Sequence, residues 1–179
     1  MWTEQFRVLS RYNTWMNVRL YALAAQLNDT ERKRNLGAFF GSIEGTLNHI
    51  LLADRIWMSR FTGDEGSFVS RDQFGTPIAF EGLSQIVYPV FADLRHNREL
   101  LDRQIEFWSR HLTEEQLRSG LTYFNTTGKR LKCTLWQAVT HFFNHQTHHR
   151  GQVTTLLFQL GQDPGVTDFS AFIREDGST

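Results

Sequence analysis

The sequence predicts an all-α protein, a bundle of long amphipathic helices, on three observations. Four segments repeat apolar residues at three-and-four spacing, the signature of a helix with one buried face. Polar stretches with turn chemistry separate them. The composition, 40% hydrophobic with Phe 15 and Trp 5, supplies enough apolar surface to offset the ordering entropy of a chain of 179 residues. That length suits one domain spanning residues 1–179, with a single core.

The first helix is expected over about residues 3–27, where Phe6, Leu9, Tyr12, Trp15, Met16, Leu20, Leu23 and Leu27 share a face. Asn28-Asp29-Thr30 then carries turn chemistry, and the basic run Arg32-Lys33-Arg34 is expected to be a solvated loop. Ser42 is placed to cap a second helix that runs to about Phe61. Apolar side chains cover most of that helix, leaving Glu44, Asn48, Arg55 and Ser59 as a narrow polar strip. Such a helix is buried on more than one side, within the bundle or against a second subunit.

Residues 62–80 hold Gly63, Gly66, Gly75 and Pro77 with little periodicity, and are expected to form a long loop over the surface or a site mouth. A third helix is expected from about Leu83 to Trp108, with Pro89 starting or kinking it. Arg98 interrupts its apolar stripe, as a structural arginine or as a contact for an anionic ligand. Between Leu121 and Lys132 a small hairpin is expected around Asn125-Thr126-Thr127-Gly128. Thr134 and Gln137 have capping-box spacing, and Gly161 with Pro164 supplies a stop, framing a fourth helix of about 26 residues. The stretch after Phe172 reads as a frayed tail.

Charge excludes several function classes. Lys+Arg 19 balance Asp+Glu 19, so no net field draws the chain to nucleic acid or to an anionic membrane. The first residues lack the pattern of a secretion signal and no apolar run reaches the length of a membrane span, so a cytoplasmic location is expected. Cys133 is the only cysteine, which rules out an intrachain disulfide or a cysteine-rich zinc knuckle.

A metal site must then be built from His, Asp or Glu. Four of the seven histidines, His141, His145, His148 and His149, fall inside the fourth helix. On a helical wheel His149 lies within about 30° of the centre of the apolar stripe, and His145 about 70° away. His141 and His148 lie beyond roughly 100°, where surface imidazoles are expected. His145 and His149 are an i, i+4 pair whose rings can converge on one ion. Two imidazoles rarely hold a transition metal tightly, so a third ligand is needed: His49, mid-way along the second helix, is the first candidate and Asp54 the other. Gln146 follows His145 where a metalloprotease helix carries its glutamate base, which disfavours peptide hydrolysis.

Three stretches together resemble the DinB/YfiT family: Tyr12-Asn-Thr-Trp15, Gly45-Thr-Leu-Asn-His49, and His145-Gln-Thr-His-His149-Arg150-Gly-Gln152. The resemblance covers nearly the whole chain and is most specific at the paired histidines followed by Arg-Gly-Gln. It implies a four-helix bundle with one long crossover connection and a metal site with ligands at His49, His145 and His149. It further implies homodimers and one divalent transition metal, zinc or nickel rather than magnesium, a choice the imidazole set supports. The expected function is a metal-dependent enzyme, a hydrolase or a thiol transferase, acting on a small-molecule substrate with water or a low-molecular-weight thiol as nucleophile. The thiol option rests on the resemblance alone. The competing expectation is a non-catalytic metal-binding bundle, structural or stress-responsive, whose site a fourth protein ligand would close. Tyr12, Asn48, Asp54 and Gln152 are conceivable pocket residues.

Overall fold

The computed structural model describes residues 2–177. In chain order the elements are α1 (Trp2–Ala24), α2 (Asp29–Lys33), α3 (Ile43–Thr62), α4 (Glu65–Phe68), α5 (Phe91–His111), α6 (Glu114–Arg118), β1 (Gly120–Phe124), β2 (Arg130–Thr134), α7 (Leu135–Gln159) and α8 (Phe169–Asp176). The protein is thus mostly helical. Helix α1 packs on α5 and α7, and α3 packs on the same two helices. Between them lies a hydrophobic core drawn from all four long helices, including Phe6, Met16, Leu20, Leu47, Leu51, Leu101, Ile105, Phe142 and Leu157. None of the described helices is long and apolar enough to cross a membrane.

Local chemistry sets the ends of the long helices. Ser42 accepts the Gly45 N–H at 3.0 Å to start α3, and Gly63 ends it in the left-handed region at φ 70°. Helix α7 starts where Gln137 accepts both the backbone N–H of Thr134 at 3.0 Å and its hydroxyl at 2.8 Å. It stops at Gly161, φ 77°, where the Gln162 N–H turns back to Leu157 O at 3.0 Å. The hairpin forms as expected, antiparallel from Gly120 opposite Thr134 to Phe124 opposite Arg130.

Four expectations are corrected. Helix α1 stops at Ala24 because the chain turns to begin α2, which Asn28 caps reciprocally with Glu31. Arg32 is not solvated: it is buried, donates to the Ala24 and Leu27 carbonyls, and lies over the Phe91 ring at 4.5 Å. Ala24 is the last residue of α1, and the carbonyl end of a helix carries partial negative charge, so a cation is well placed there. Lys33 and Arg34 are exposed as expected. The loop after α3 contains the short helix α4 and runs on to Val90, because the third long helix begins only at Phe91. Pro89 disfavours helical backbone at Tyr88 and has no N–H to give, so residues 83–90 stay irregular. Last, the stretch after Phe172 continues α8 up to Asp176, with Ser178 and Thr179 outside the described residues. Phe172 packs 5.7 Å from the Tyr12 ring and 5.9 Å from Trp15, and Glu175 accepts from Trp15 Nε1 at 2.8 Å and pairs with Arg19 at 2.9 Å.

Candidate metal centre

His49 comes from the middle of α3, and His145 and His149 from successive turns of α7. The packing of α3 on α7 brings the rings together, with centroids 5.1 Å apart for His49 and His145, 4.5 Å for His49 and His149, and 4.4 Å for His145 and His149. One nitrogen from each lies within 4.8 Å of the others, so the cluster can hold a metal ion. The sequence leaves Asp54 as an alternative third partner, but it is turned away: its Oδ2 accepts from Arg98 at 2.6 Å and from Gln146 at 3.0 Å.

The hydrogen bonds orient two of the three rings. His49 Nδ1 lies 2.9 Å from Leu83 O, an acceptor only, so Nδ1 carries the proton and Nε2 presents its lone pair inward. His149 Nδ1 is 2.9 Å from Gln152 Oε1, which sets the same tautomer. His145 Nε2 then sits 3.2 Å from His49 Nε2, while its buried Nδ1 has no partner. Protonating His145 on Nδ1 leaves a donor unpaired and two lone pairs facing each other; protonating it on Nε2 leaves a buried lone pair at Nδ1. A cation among the Nε2 atoms removes the lone-pair conflict. The 3.2 Å between His49 Nε2 and His145 Nε2 is close to the about 3.3 Å expected between nitrogens on a tetrahedral ion with bonds of about 2.05 Å.

Burial favours the neutral, metal-binding form of all three rings. Desolvation lowers His49 to about 4, against the Leu83 hydrogen bond, and lowers His145 to about 3 with help from the neighbouring imidazoles. His149 is lowered for the same first reason, with Gln152 pulling the other way. At neutral pH no proton competes with an ion for these nitrogens.

The surroundings of His49 were not legible in the sequence. Phe40, just ahead of the α3 cap, stacks on His49 at 3.8 Å and meets His149 edge-on at 5.5 Å. Its position depends on Gly45, where an added Cβ would come within 2.2 Å of Phe40 O. Asn48, a candidate pocket residue, clamps the loop instead: it accepts the Tyr88 N–H at 2.8 Å and donates to Tyr88 O at 3.2 Å. The same loop carries the Leu83 carbonyl, so the clamp helps hold the partner of His49. Tyr12 points elsewhere, donating to Thr167 O at 2.7 Å. Of the four candidate pocket residues only Gln152 touches the cluster.

Replacing Gly45 with alanine is expected to push Phe40 off His49 and to weaken binding of divalent metal about 10-fold, the range seen when groups supporting a ligand are lost. Competition against a chromophoric chelator measures this; affinity within twofold of wild type would show that the Phe40 stack is idle.

Fold and cluster together define a class: a helical protein whose two packed helices assemble three imidazoles suited to a metal ion. The chain belongs to the DinB family, whose sequence model matches residues 1–177. It is also similar to Protein DinB of Bacillus subtilis (strain 168), with 26% identity over 167 residues that cover 92% of this chain and 91% of that protein.

Proposed function

We propose that this protein is a metal-dependent enzyme in which His49, His145 and His149 hold one divalent transition ion, zinc or nickel, with coordination positions left for a small-molecule substrate. The observation that carries the reading is the convergence of the imidazoles, two of them turned inward by outer hydrogen bonds. An ion held there would supply Lewis acidity, polarising a carbonyl or acidifying a water or a thiol. The chain's own part is to present neutral nitrogens, to fix their direction through Leu83 and Gln152, and to cover one side with Phe40. Hydrolysis and thiol transfer both suit such a centre. A four-helix bundle in one domain, paired as a homodimer in the cytoplasm, is the setting we propose for it.

The non-catalytic alternative would need a closed site. Among the described residues no further His, Cys, Asp or Glu joins the cluster, Asp54 is held by Arg98 and Gln146, and His148 is exposed with its Nε2 beside Gln152. This favours the open, catalytic reading.

Equilibrium dialysis followed by metal analysis tests the ligand set. About one transition ion per chain is expected, lost in His145→Ala and in His149→Ala; unchanged stoichiometry in both would end the proposal. For catalysis, holo and apo protein are compared on activated esters and on electrophile-plus-thiol pairs. Faster turnover by the holo form is expected, whereas equal background rates would favour the structural alternative.

A further inference from the structure

Beside α3, away from the imidazoles, lies a cavity of about 750 Å³, within the size range of sites for small organic ligands. Its inner wall is one face of α3, Leu52, Ile56, Ser59 and Arg60, and the loop before α5 and the hairpin border it. This face continues from His49, which precedes Leu52 by about one turn. Along the helix axis, Arg60 lies about 16 Å beyond His49.

Two cations line the cavity, and they differ in what they have left to give. Arg55 donates to Val69 O at 2.8 Å and to Asn97 Oδ1 at 2.7 Å. Arg60 makes one hydrogen bond, to Phe124 O at 2.7 Å, and has no carboxylate partner among the described residues. Its guanidinium sits over Trp57 at 4.7 Å and over Tyr123 at 4.8 Å, so the aromatic rings fix its plane while most of its donors stay available. The only carboxylate in the lining is Glu65, which is exposed. Apolar side chains, Ile56, Phe68, Ile78 and Val87, form part of the lining between Leu52 and Arg60, alongside uncharged polar groups such as Ser70, Gln85 and Thr122.

We propose that this cavity binds a carboxylate with an apolar body, the carboxylate paired with Arg60 and the body lying along α3 toward His49. A planar guanidinium with free donors matches a carboxylate in two parallel hydrogen bonds, which a neutral amide cannot reproduce. As the substrate class of the metal centre this rests on the proposed function; as a binding site it does not.

The test uses metal-free protein in chelator, with 4-phenylbutyrate and its uncharged analogue 4-phenylbutyramide as probes, titrated calorimetrically. Wild type is expected to prefer the carboxylate about tenfold or more, the worth of a charge-assisted pair. Arg60→Gln is expected to bring the two affinities together, and Arg60→Lys to keep a preference for the carboxylate. Equal affinities in wild type, no binding of either probe, or an undiminished preference in Arg60→Gln would each overturn the inference. If Arg60→Gln binds neither probe, the lysine variant decides: loss of the preference there overturns the inference too. Because no metal is present in the assay, a failure of the metal reading leaves this result standing and is distinguishable from it.

Discussion

Arg98→Met is expected to cost about 3–5 kcal/mol of unfolding free energy, the largest stability loss we predict for a single substitution. Arg98 is 2% exposed and lies between two buried carboxylates, Asp54 at 2.6 Å and Asp102 at 2.8 Å. Asn13 and Asn17 donate to Asp102, at 2.9 Å and 3.0 Å, and Asn13 in turn accepts from Arg150. Side chains from α1, α3, α5 and α7 therefore meet in one polar layer inside an apolar core. Methionine matches the stem of arginine but leaves both carboxylates desolvated and without their cation. Burial already pushes both toward the protonated form, against the pull of Arg98. Urea unfolding followed by tryptophan fluorescence reads the effect, and Asp54→Asn in the Arg98→Met background is expected to recover part of it. A loss below about 1 kcal/mol would mean that water or rearrangement satisfies the layer.

The second large effect concerns pH and metal together. His49 and His145 titrate near 6.5 when unfolded, but near 4 and 3 in the fold. Between pH 6.5 and those values the unfolded chain binds protons that the folded chain refuses, so stability is full above pH 6.5 and falls as the pH drops. Asp54, raised to about 6 by burial, works in the opposite direction, since its folded form takes up a proton before the unfolded form does. Comparison with His145→Ala separates the two, because that variant keeps Asp54. In chelator, wild type is expected to lose about 1 kcal/mol more than His145→Ala between pH 7 and 5, after discounting for the partial exposure of the ring. At pH 7, zinc at about 100 times its Kd is expected to add about 3 kcal/mol to wild type and nothing to the variant. Parallel pH curves for the two proteins, or equal zinc stabilisation, would contradict the burial and the ligand role of His145 respectively.

Much of the architecture was legible from periodicity and end signals. Apolar spacing marked the four long helices, and Ser42, the Thr134–Gln137 pair and Gly161 marked their ends, because capping is a contact between residues three or four apart. The i, i+4 relation of His145 and His149 was legible for the same reason. Where the local signal conflicted, periodicity misled: apolar residues near Leu83 suggested helix, yet Pro89 and the Asn48 clamp keep that segment irregular.

By itself, then, the sequence determined the four long helices, the caps of α3 and α7, and that two imidazoles share one face of the last long helix, but not the short helices between and after them. Only the tertiary structure decided which third side chain joins them. His49 and Asp54 both lie on the buried side of α3; the packing on α7 and α5 turns one toward the imidazoles and the other toward Arg98. It also decided which nitrogens face inward, through a backbone carbonyl at Leu83 that no residue pattern announces. Contacts across 34 or 96 residues depend on how helices dock, and docking is set by the shape of the whole core rather than by any window of the chain.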